Sequence, residues 1–419
     1  MRTHFDAIVI GAGPAGSTAA ILLARAGWQV ALIEKGRFPR RKVCGECIAA
    51  SNMLLLEALG IGEKFDACAG PPLRHVALMQ RQRTIVTDLP PAEFPRYAWG
   101  RALGRETLDT LLLNQAQADG AVVLQPWAAE SVEGIAGDHI CLVQSVDSGQ
   151  STILRAPIVI SANGSWEPMP SARAIRRLGR RPSDLIAFKA NFRGSTLAPG
   201  LLPVLSFNGG YGGMVLAGDG ITTLACCVRS DRLNSLRRRS PGIRAGDVVE
   251  ASLKLECDGV ADALCHSQRV GDWLASGPIA PGVHLRDDDD HFKIGNAAGE
   301  AHPIIGEGMS MAMQSAWLLC SLLITSQQEP GAKLDLSLHR QLGKQYRADW
   351  RHHFAPRLRL AAFFAHLAMR PSLSAPLLKL LGCLPQILTN AASFSGKVHC
   401  AVELETIALF ASGFTRDKK

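Results

Sequence analysis

The sequence predicts an α/β fold, in which a Rossmann-like nucleotide-binding domain carries an inserted antiparallel β-sheet domain and a helical C-terminal extension. Three observations support this prediction. Residues 6–34 contain a complete strand–helix–strand pattern with a Gly-x-Gly-x-x-Gly motif. Between residues 181 and 285 the strand patterns are less uniformly apolar and are broken by glycines, which is typical of an antiparallel sheet. After residue 330 the patterns are helical.

The first strand, residues 6–10, is apolar and ends at Gly11, as buried parallel strands do. An Ala/Leu-rich helix is predicted over 17–27 and a second strand over 29–33. Further strands are predicted over 74–80, 121–124, 128–133, 139–146, 153–160, 185–193, 214–217, 222–229 and 291–294. Helices are predicted over 51–59, 105–118, 245–255, 309–326 and from 334 to about 354.

These elements divide the chain into domains. The nucleotide domain is predicted over residues 1–180 and 286–330, and it includes part of the substrate sheet near 71–100. The inserted substrate-binding sheet is predicted over 181–285, and the helical C-terminal region over 331–419. Since the chain returns to the nucleotide domain near His291, the sheet domain is expected to be an insertion.

Composition limits the class of protein. The 419 residues are 47% hydrophobic and 20% charged, which excludes a disordered chain. Eleven scattered cysteines do not form a disulfide scaffold, and no signal-peptide pattern opens the sequence, so a cytoplasmic protein is expected. The longest uncharged apolar stretch, residues 309–324, is shorter than the ~20 residues that cross a bilayer. No transmembrane span is expected, although the apolar C-terminal patches leave a peripheral membrane contact open.

The formal net charge of +8 is unevenly spread, with basic clusters at residues 40–42, 176–181 and 237–239. Such clusters are typical of solvated loops, but they also attract anionic cofactors, anionic substrates or an acidic partner protein. Nucleic acid is disfavoured as a partner because no recognition motif accompanies the charge.

The glycine motif follows a strand and opens a helix, which is the context that dinucleotide binding requires. Gly11 permits the tight turn, Gly13 lets the backbone approach a pyrophosphate, and Gly16 allows the helix to pack closely on the strand. The helix N-terminus offers free N–H groups to the phosphates, and Glu34 can accept hydrogen bonds from ribose hydroxyls. The predicted dinucleotide-binding residues are Gly11, Gly13, Pro14, Ala15, Gly16, Glu34 and Lys35.

A second motif distinguishes FAD from NAD. The GNAA string at residues 295–298, followed by Pro303 and the GEGM string at 306–309, resembles the GD-A-A…P…G-x-G signature of group A flavoprotein monooxygenases. In that family the acidic residue contacts the flavin ribityl chain, a position that Asn296 takes here without the charge. The resemblance implies FAD as cofactor, contacted by Asn296, Gly306, Gly308 and Met309.

Four further segments extend this resemblance over about residues 6–320. The SANGS string at 161–165 looks like the family's A-D-G motif, and residues 38–46 resemble the basic-then-Cys-Gly segment of geranylgeranyl-reductase-like flavoproteins. Residues 104–109 look like their R-x-x-L/F-D helix start, whose arginine contacts FAD, and 209–213 are similar to a substrate-domain strand also found in flavin-dependent halogenases. The resemblance thereby adds Arg41, Lys42, Cys44, Arg105, Asn163 and Gly164 to the FAD site.

Several activities are compatible with this family. Hydroxylation of an aromatic substrate is favoured, either of a small phenolic or polyketide-like compound or of a Trp or Tyr side chain on a protein or carrier. A geranylgeranyl-reductase-like reduction of lipid double bonds is an alternative, although that family's aromatic Y/W…F-P signature is not clear. A non-catalytic FAD-binding protein is another, because Asn replaces both family Asp residues. Halogenation is disfavoured because no W-x-W-x-I-P string occurs.

The electron donor and the reacting side chains are less defined by the sequence. No second nucleotide fingerprint is present, so NAD(P)H is expected to bind transiently or to act through a separate flavin reductase. Candidate catalytic residues are Glu46, His302 and Glu307. Cys44 and Cys47 form a single C-x-x-C, and without a second one no metal site is predicted.

Overall fold

The structure is a computed structural model that describes residues 2–92, 94–164, 181–287, 290–326 and 335–372. The strands are β1 Ala7–Ile10, β2 Val30–Ile33, β3 Cys47–Ile48, β4 His75–Gln80, β5 Arg83–Asp88, β6 Arg101–Ala102, β7 Val122–Leu124, β8 Trp127–Ile135, β9 Asp138–Ser145, β10 Ser151–Ala156, β11 Ile158–Ser161, β12 Leu185–Arg193, β13 Leu201–Phe207, β14 Gly210–Leu216, β15 Ile221–Arg229, β16 Gln268–Ile279, β17 Gly282–Val283, β18 Phe292–Lys293 and β19 Gly299–Glu300. The helices are α1 Pro14–Arg25, α2 Met53–Ala58, α3 Gly62–Cys68, α4 Arg105–Ala118, α5 Ser230–Arg239, α6 Ala245–Glu256, α7 Asp258–Ala263, α8 Gly308–Ser326 and α9 Leu336–Ala368.

A parallel sheet with the strand order β18-β11-β1-β2-β7 forms the nucleotide-binding half. Alternate residues of β1 face two different layers, as strand geometry requires. Ala7 and Val9 pack against α1 and α8, whereas Ile8 and Ile10 pack against the three-stranded sheet β10-β9-β8. The predicted Rossmann-like α/β fold is thereby confirmed.

One predicted strand was wrong. The continuous strand expected over 153–160 is two strands in different sheets, because β10 pairs antiparallel with β9 while β11 pairs parallel with β1. Pro157 stands between them. A proline cannot donate to a sheet ladder, so it ends β10 and lets the chain cross from one sheet to the other.

A seven-stranded, mostly antiparallel sheet with the order β16-β12-β15-β14-β13-β4-β5 forms the second half. β4 comes from the early part of the chain and pairs in parallel with β13. Helices α6 and α7 cover one face through a core that includes Phe188 and Val249. The glycines at 209–213 do not break the sheet as expected, because β14 begins at Gly210. A Cβ on Gly210 would lie 2.1 Å from the Phe207 ring, so glycine is what this close packing admits.

The chain then returns to the parallel sheet, where β18 pairs with β11 and α8 packs on α1. Helix α8 is long and apolar enough to cross a membrane, but 72% of its apolar window is buried within the fold. Helix α9 continues through Pro356 to Ala368, well past the predicted end near 354. Of the predicted helical region 331–419, the parts 331–334 and 373–419 lie outside the described residues. Residues 165–180 also lie outside them, and they include most of the basic cluster at 176–181.

A pair of buried histidines joins the three-stranded sheet to α9. His139 and His339 have ring centroids 6.4 Å apart, and His339 also packs on Phe292 at 4.5 Å. The pKa of both is lowered to about 4, mainly by burial. A smaller part of the lowering comes from the charge of a neighbouring imidazole, which is His291 for His139 and His139 for His339. Both histidines are therefore neutral in the folded protein near neutral pH.

This pair predicts acid sensitivity. In the unfolded chain a histidine has a pKa near 6.5, so the unfolded state binds more protons and stability falls as the pH drops from about 6.5 towards 4. His339→Phe keeps the ring packing and removes one titrating group. The variant should lose about 2–3 kcal/mol less stability than the wild type between pH 7 and pH ~4.5.

Urea unfolding at the two pH values measures this difference. His352→Gln is the matched control, because His352 is exposed on the same helix. Equal acid losses in wild type, His339→Phe and His352→Gln would contradict the prediction.

Candidate FAD-binding site

A cavity of about 650 Å³ lies between the parallel sheet and the seven-stranded sheet. Its nucleotide-side wall is made by residues at the carboxyl ends of β1, β2 and β11, including Gly11, Glu34 and Asn163. In open parallel sheets this edge is where ligands bind. The opposite wall comes from the seven-stranded sheet and from the last turns of α9.

The glycine loop has the shape that a pyrophosphate requires. Gly11 has φ +102°, and a Cβ there would lie 2.6 Å from the Ala162 carbonyl oxygen. A Cβ on Gly16 would lie 1.8 Å from the Gly11 carbonyl oxygen, so α1 can sit against β1 only with glycine at this position. Gly13 is the N-cap of α1 and has no side chain to cap the helix, which leaves first-turn N–H groups available to an anion.

Glu34 stands at the end of β2 and is 4% exposed. Its carboxylate accepts hydrogen bonds from the Ala12 N–H at 3.0 Å and the Gly36 N–H at 2.7 Å, and it pairs with Arg40 at 3.1 Å. These contacts fix the carboxylate beside the glycine loop, where ribose hydroxyls of a dinucleotide would reach it. Arg40 lines the cavity and was missed in the sequence, which had pointed to Arg41 and Lys42.

Arg105 opens α4 and faces the same loop. Its guanidinium makes two 2.7 Å hydrogen bonds to the Asp109 carboxylate one turn later. Burial alone would lower the pKa of Arg105, but the Asp109 carboxylate and then Cys44 outweigh burial and raise it above its ordinary value. A fixed cation therefore lies near Gly13, since a Cβ on Gly13 would be 3.7 Å from an Arg105 nitrogen.

Glu46 lies at the centre of a buried network. It adopts the left-handed conformation with φ 61° and is 1% exposed. One carboxylate oxygen accepts the Arg105 N–H at 2.9 Å and pairs with Lys189 of β12, and the other accepts the Thr223 hydroxyl at 2.5 Å. Glu46 therefore links the loop that precedes β3 to the seven-stranded sheet. Its use as a general base stays a prediction.

The second motif surrounds the same cavity. Gly295 has φ +58°, and a Cβ there would lie 3.0 Å from the Ala15 Cβ, so this turn closes directly on the start of α1. Asn296 lines the cavity, and its backbone carbonyl accepts a hydrogen bond from His284 at 3.0 Å. On the other side Asn163 lines the cavity, and its amide oxygen accepts the Ser161 hydroxyl at 3.2 Å.

The other two catalytic candidates do not line the cavity. His302 is 7% exposed, and its Nδ1 lies 3.0 Å from the hydroxyl of Tyr211, which does line it. Glu307 is fully buried between Gly306 and Gly308, both of which line the cavity.

The structure brings most of the predicted residues together. The ones that line the cavity are Gly11, Gly13, Pro14, Ala15, Glu34, Lys35, Lys42, Cys44, Glu46, Arg105, Asn163, Gly164, Asn296, Gly306, Gly308 and Met309. Gly16 lies beneath the loop, and Arg41 turns away, with its guanidinium 3.4 Å from the Asp272 carbonyl oxygen. Within the described ranges no group of three or more His, Cys, Asp or Glu residues is arranged to hold a metal.

Lys189 was missed although the sequence carries a signal for it. Strand β12 is apolar apart from Lys189, Asn191 and its last residue. Alternation puts Lys189 and Asn191 on the face opposite Phe188 and Phe192, which pack into the core under α6 and α7. A fully buried lysine requires a partner, and here the partner is Glu46.

Comparisons with known proteins agree with this geometry. Conditioned medium factor receptor 1 of Dictyostelium discoideum is 28% identical over 366 residues, covering 83% of this chain and 67% of that protein. Menaquinone reductase of Mycolicibacterium smegmatis is 26% identical over 337 residues, covering 77% of each. The solved structure of a myxobacterial chondrochloren halogenase has the same fold, with a TM-score of 0.72 at 17% identity, covering 98% of this chain and 96% of that one.

The family model of the FAD binding domain matches residues 4–337, which is well over half of the chain. The match spans the glycine loop, Glu34, Arg105 and both halves of the second motif. The chain therefore belongs to the FAD binding domain family, and is an FAD-dependent oxidoreductase-type enzyme of the superfamily that contains halogenases, monooxygenases and reductases.

Proposed function

We propose that this chain is an FAD-dependent monooxygenase that hydroxylates an aromatic substrate. The observation that carries the proposal is the uncharged wall that the seven-stranded sheet presents to the cavity. Its apolar lining includes Leu202, Val204 and Met214, and its polar side chains are Gln80, Ser206 and Tyr211. Such a wall accommodates a neutral aromatic ring and excludes water from the reacting atoms.

The polar pair on this wall can orient the substrate. The Gln80 amide donates to the Ser206 hydroxyl at 2.8 Å, and Ser206 in turn donates to the Ala368 carbonyl of α9 at 2.7 Å. Both side chains are nearly buried, so the pair holds one geometry. A substrate hydroxyl or N–H that bonds here would be fixed relative to the flavin, because apolar pockets with a few polar groups derive specificity from those groups.

The cofactor supplies the redox chemistry, and the chain supplies orientation and charge. Arg105 and the free N–H groups of α1 would hold the pyrophosphate, and Glu34 the adenosine ribose. Asn163 and Asn296 would hydrogen-bond the flavin portion through neutral amides. We propose NAD(P)H as the electron donor, acting directly or through a separate flavin reductase.

An acidic protein or carrier that presents the aromatic group is the macromolecular form of this substrate. Arg237, Arg238 and Arg239 are exposed at the C-terminal end of α5, which supports attraction for such a partner. The small-molecule and carrier-bound forms differ in salt dependence, because only the second uses this exposed charge.

Reduction of an apolar double bond is the second candidate. Phe364 and Leu367 of α9 extend the apolar lining of the cavity, and the similarity to a menaquinone reductase covers 77% of both chains. This reaction would use the same FAD site and the same dry wall, but it would consume no oxygen.

Turnover under isotopically heavy oxygen gas tests the proposal. The purified protein with FAD and NAD(P)H, with and without a flavin reductase, is incubated with a panel of phenols and aromatic amides. We expect one heavy oxygen atom in the product by mass spectrometry. Saturated product formed without oxygen, from a menaquinone or polyprenyl substrate, would overturn hydroxylation in favour of reduction. A halogenated product when chloride or bromide is added would overturn it in favour of halogenation.

A further inference from the structure

Three side chains connect the wall of the cavity to the protein surface. Tyr211 lines the cavity and is 1% exposed, and its hydroxyl lies 3.0 Å from Nδ1 of His302. The His302 ring is 7% exposed and lies edge-on to the ring of His366, with centroids 5.7 Å apart. His366 is exposed in the last turn of α9. Exposure therefore increases along the series from the cavity to solvent.

Both inner groups are neutral near neutral pH. Burial raises the pKa of Tyr211, as do Cys227, its cross-strand neighbour on β15, and more weakly Glu300 and Cys226. Burial, together with a smaller contribution from the charge of His366, lowers the pKa of His302 to about 4. A neutral imidazole can accept a proton on one nitrogen while it releases a proton from the other, and a neutral phenol can accept and release a proton at its single oxygen, which is what a relay requires.

We propose that Tyr211, His302 and His366 form a proton relay between the flavin cavity and solvent. A proton that His366 takes from water passes to Nε2 of His302, through a bridging water between the rings. His302 then releases its Nδ1 proton to the Tyr211 oxygen, and Tyr211 releases its hydroxyl proton into the cavity. One proton enters at His366 and one leaves at Tyr211, so no charge is left on the relay, and the reverse sequence exports a proton.

The relay gives the cavity a proton path that does not use the Glu46 network. Both Glu46 carboxylate oxygens are occupied by Lys189, Arg105 and Thr223, and the seven-stranded sheet offers an uncharged wall. A bound flavin takes up protons when it is reduced, whichever substrate follows. The relay therefore rests on the flavin binding that the proposed function also requires, and not on the fate of oxygen.

Proton uptake during anaerobic photoreduction of the FAD-loaded chain, without substrate, tests the relay. A pH-indicator dye reports the rate in wild type, His302→Asn and His366→Gln, with His352→Gln as the control on the same helix. We expect both relay variants to slow uptake at least about tenfold, since a positioned proton-transfer group contributes at least this much. Added imidazole should restore the rate of His366→Gln, and the control should match wild type.

Imidazole NMR of the nitrogen-labelled full chain provides a second readout that does not depend on flavin chemistry. We expect His302 to titrate with a pKa of about 4, and this pKa to rise in His366→Gln because a repelling charge is removed. Wild-type uptake rates in His366→Gln, with the His302 titration unchanged, would overturn the relay. Because the test uses neither oxygen nor substrate, its failure is separate from failure of the hydroxylation proposal.

Discussion

Replacing Lys189 with methionine is expected to destabilise the fold by about 3–5 kcal/mol, because it leaves the buried Glu46 carboxylate without its cation. Lys189 is completely buried and Glu46 is 1% exposed, so water cannot solvate the orphaned charge. The free energy of unfolding, measured by urea denaturation, reports the loss. The FAD affinity should fall with it, since Glu46 holds the backbone N–H at the start of α4, beside the Arg105 side chain.

Two further variants separate this effect from loss of packing. Lys189→Met combined with Glu46→Gln removes both charges and should lose less stability than Lys189→Met alone. Arg244→Met breaks an exposed ion pair with Asp272 and should cost less than about 1 kcal/mol. A Lys189→Met protein as stable as Arg244→Met would contradict the assignment of a buried ion pair.

Gly16→Ala is expected to prevent folding of the nucleotide-binding half, whereas Gly13→Ala should leave the fold intact and abolish FAD binding. At Gly16 the new Cβ would lie 1.8 Å from the Gly11 carbonyl oxygen, a backbone atom that cannot move away alone. At Gly13 the nearest atom is an Arg105 nitrogen at 3.7 Å, which is ordinary contact, but the methyl group would occupy the approach of the pyrophosphate.

Circular dichroism and an FAD titration followed by flavin fluorescence distinguish the two outcomes. Gly16→Ala should express as aggregated or unfolded protein. Gly13→Ala should have the melting temperature of the wild-type apoprotein and bind FAD at least about a hundredfold more weakly, a loss of about 2.7 kcal/mol. A Gly13→Ala protein that binds FAD normally would place the pyrophosphate elsewhere.

The sequence predicted the glycine loop and its surroundings well because these features are local. The strand, the turn and α1 follow one another within thirty residues, and Gly16 meets its constraint from Gly11 in the same turn. Strand β12 and helix α4 were also predicted with the correct bounds, since apolar periodicity extends through both.

The elements that were missed have a weak apolar signal. Strand β5 has no buried residue, β16 is an edge strand with many exposed residues, and α5 is almost entirely polar. Strand β13 contains Pro203, and a proline argues against a strand in the interior of a sheet. In each case the tertiary neighbours, rather than the local pattern, stabilise the element.

The site network was missed because its members are distant in the chain. Lys189 and Glu46 are separated by 143 residues, and Tyr211 and His302 by 91. Each of these four residues alone has an ordinary structural explanation. The members of each pair become partners only because the seven-stranded sheet packs against the loops that hold Glu46 and His302. The position of His302 was also predicted only in part. The second motif predicted that His302 lies near the flavin, but not that Tyr211 stands between His302 and the cavity.

The parallel pairing of β4 with β13 has a consequence for how this enzyme could be divided. Because β4 and β5 precede most of the nucleotide-binding half, the substrate sheet is assembled from two separate stretches of chain. A fragment restricted to 181–285 would keep the pairing of β13 with β14 but leave the other edge of β13 without β4, and such an exposed edge promotes intermolecular strand addition. Exchange of substrate domains between relatives must therefore transfer residues 75–88 as well, and a graft of one contiguous segment would produce an open sheet.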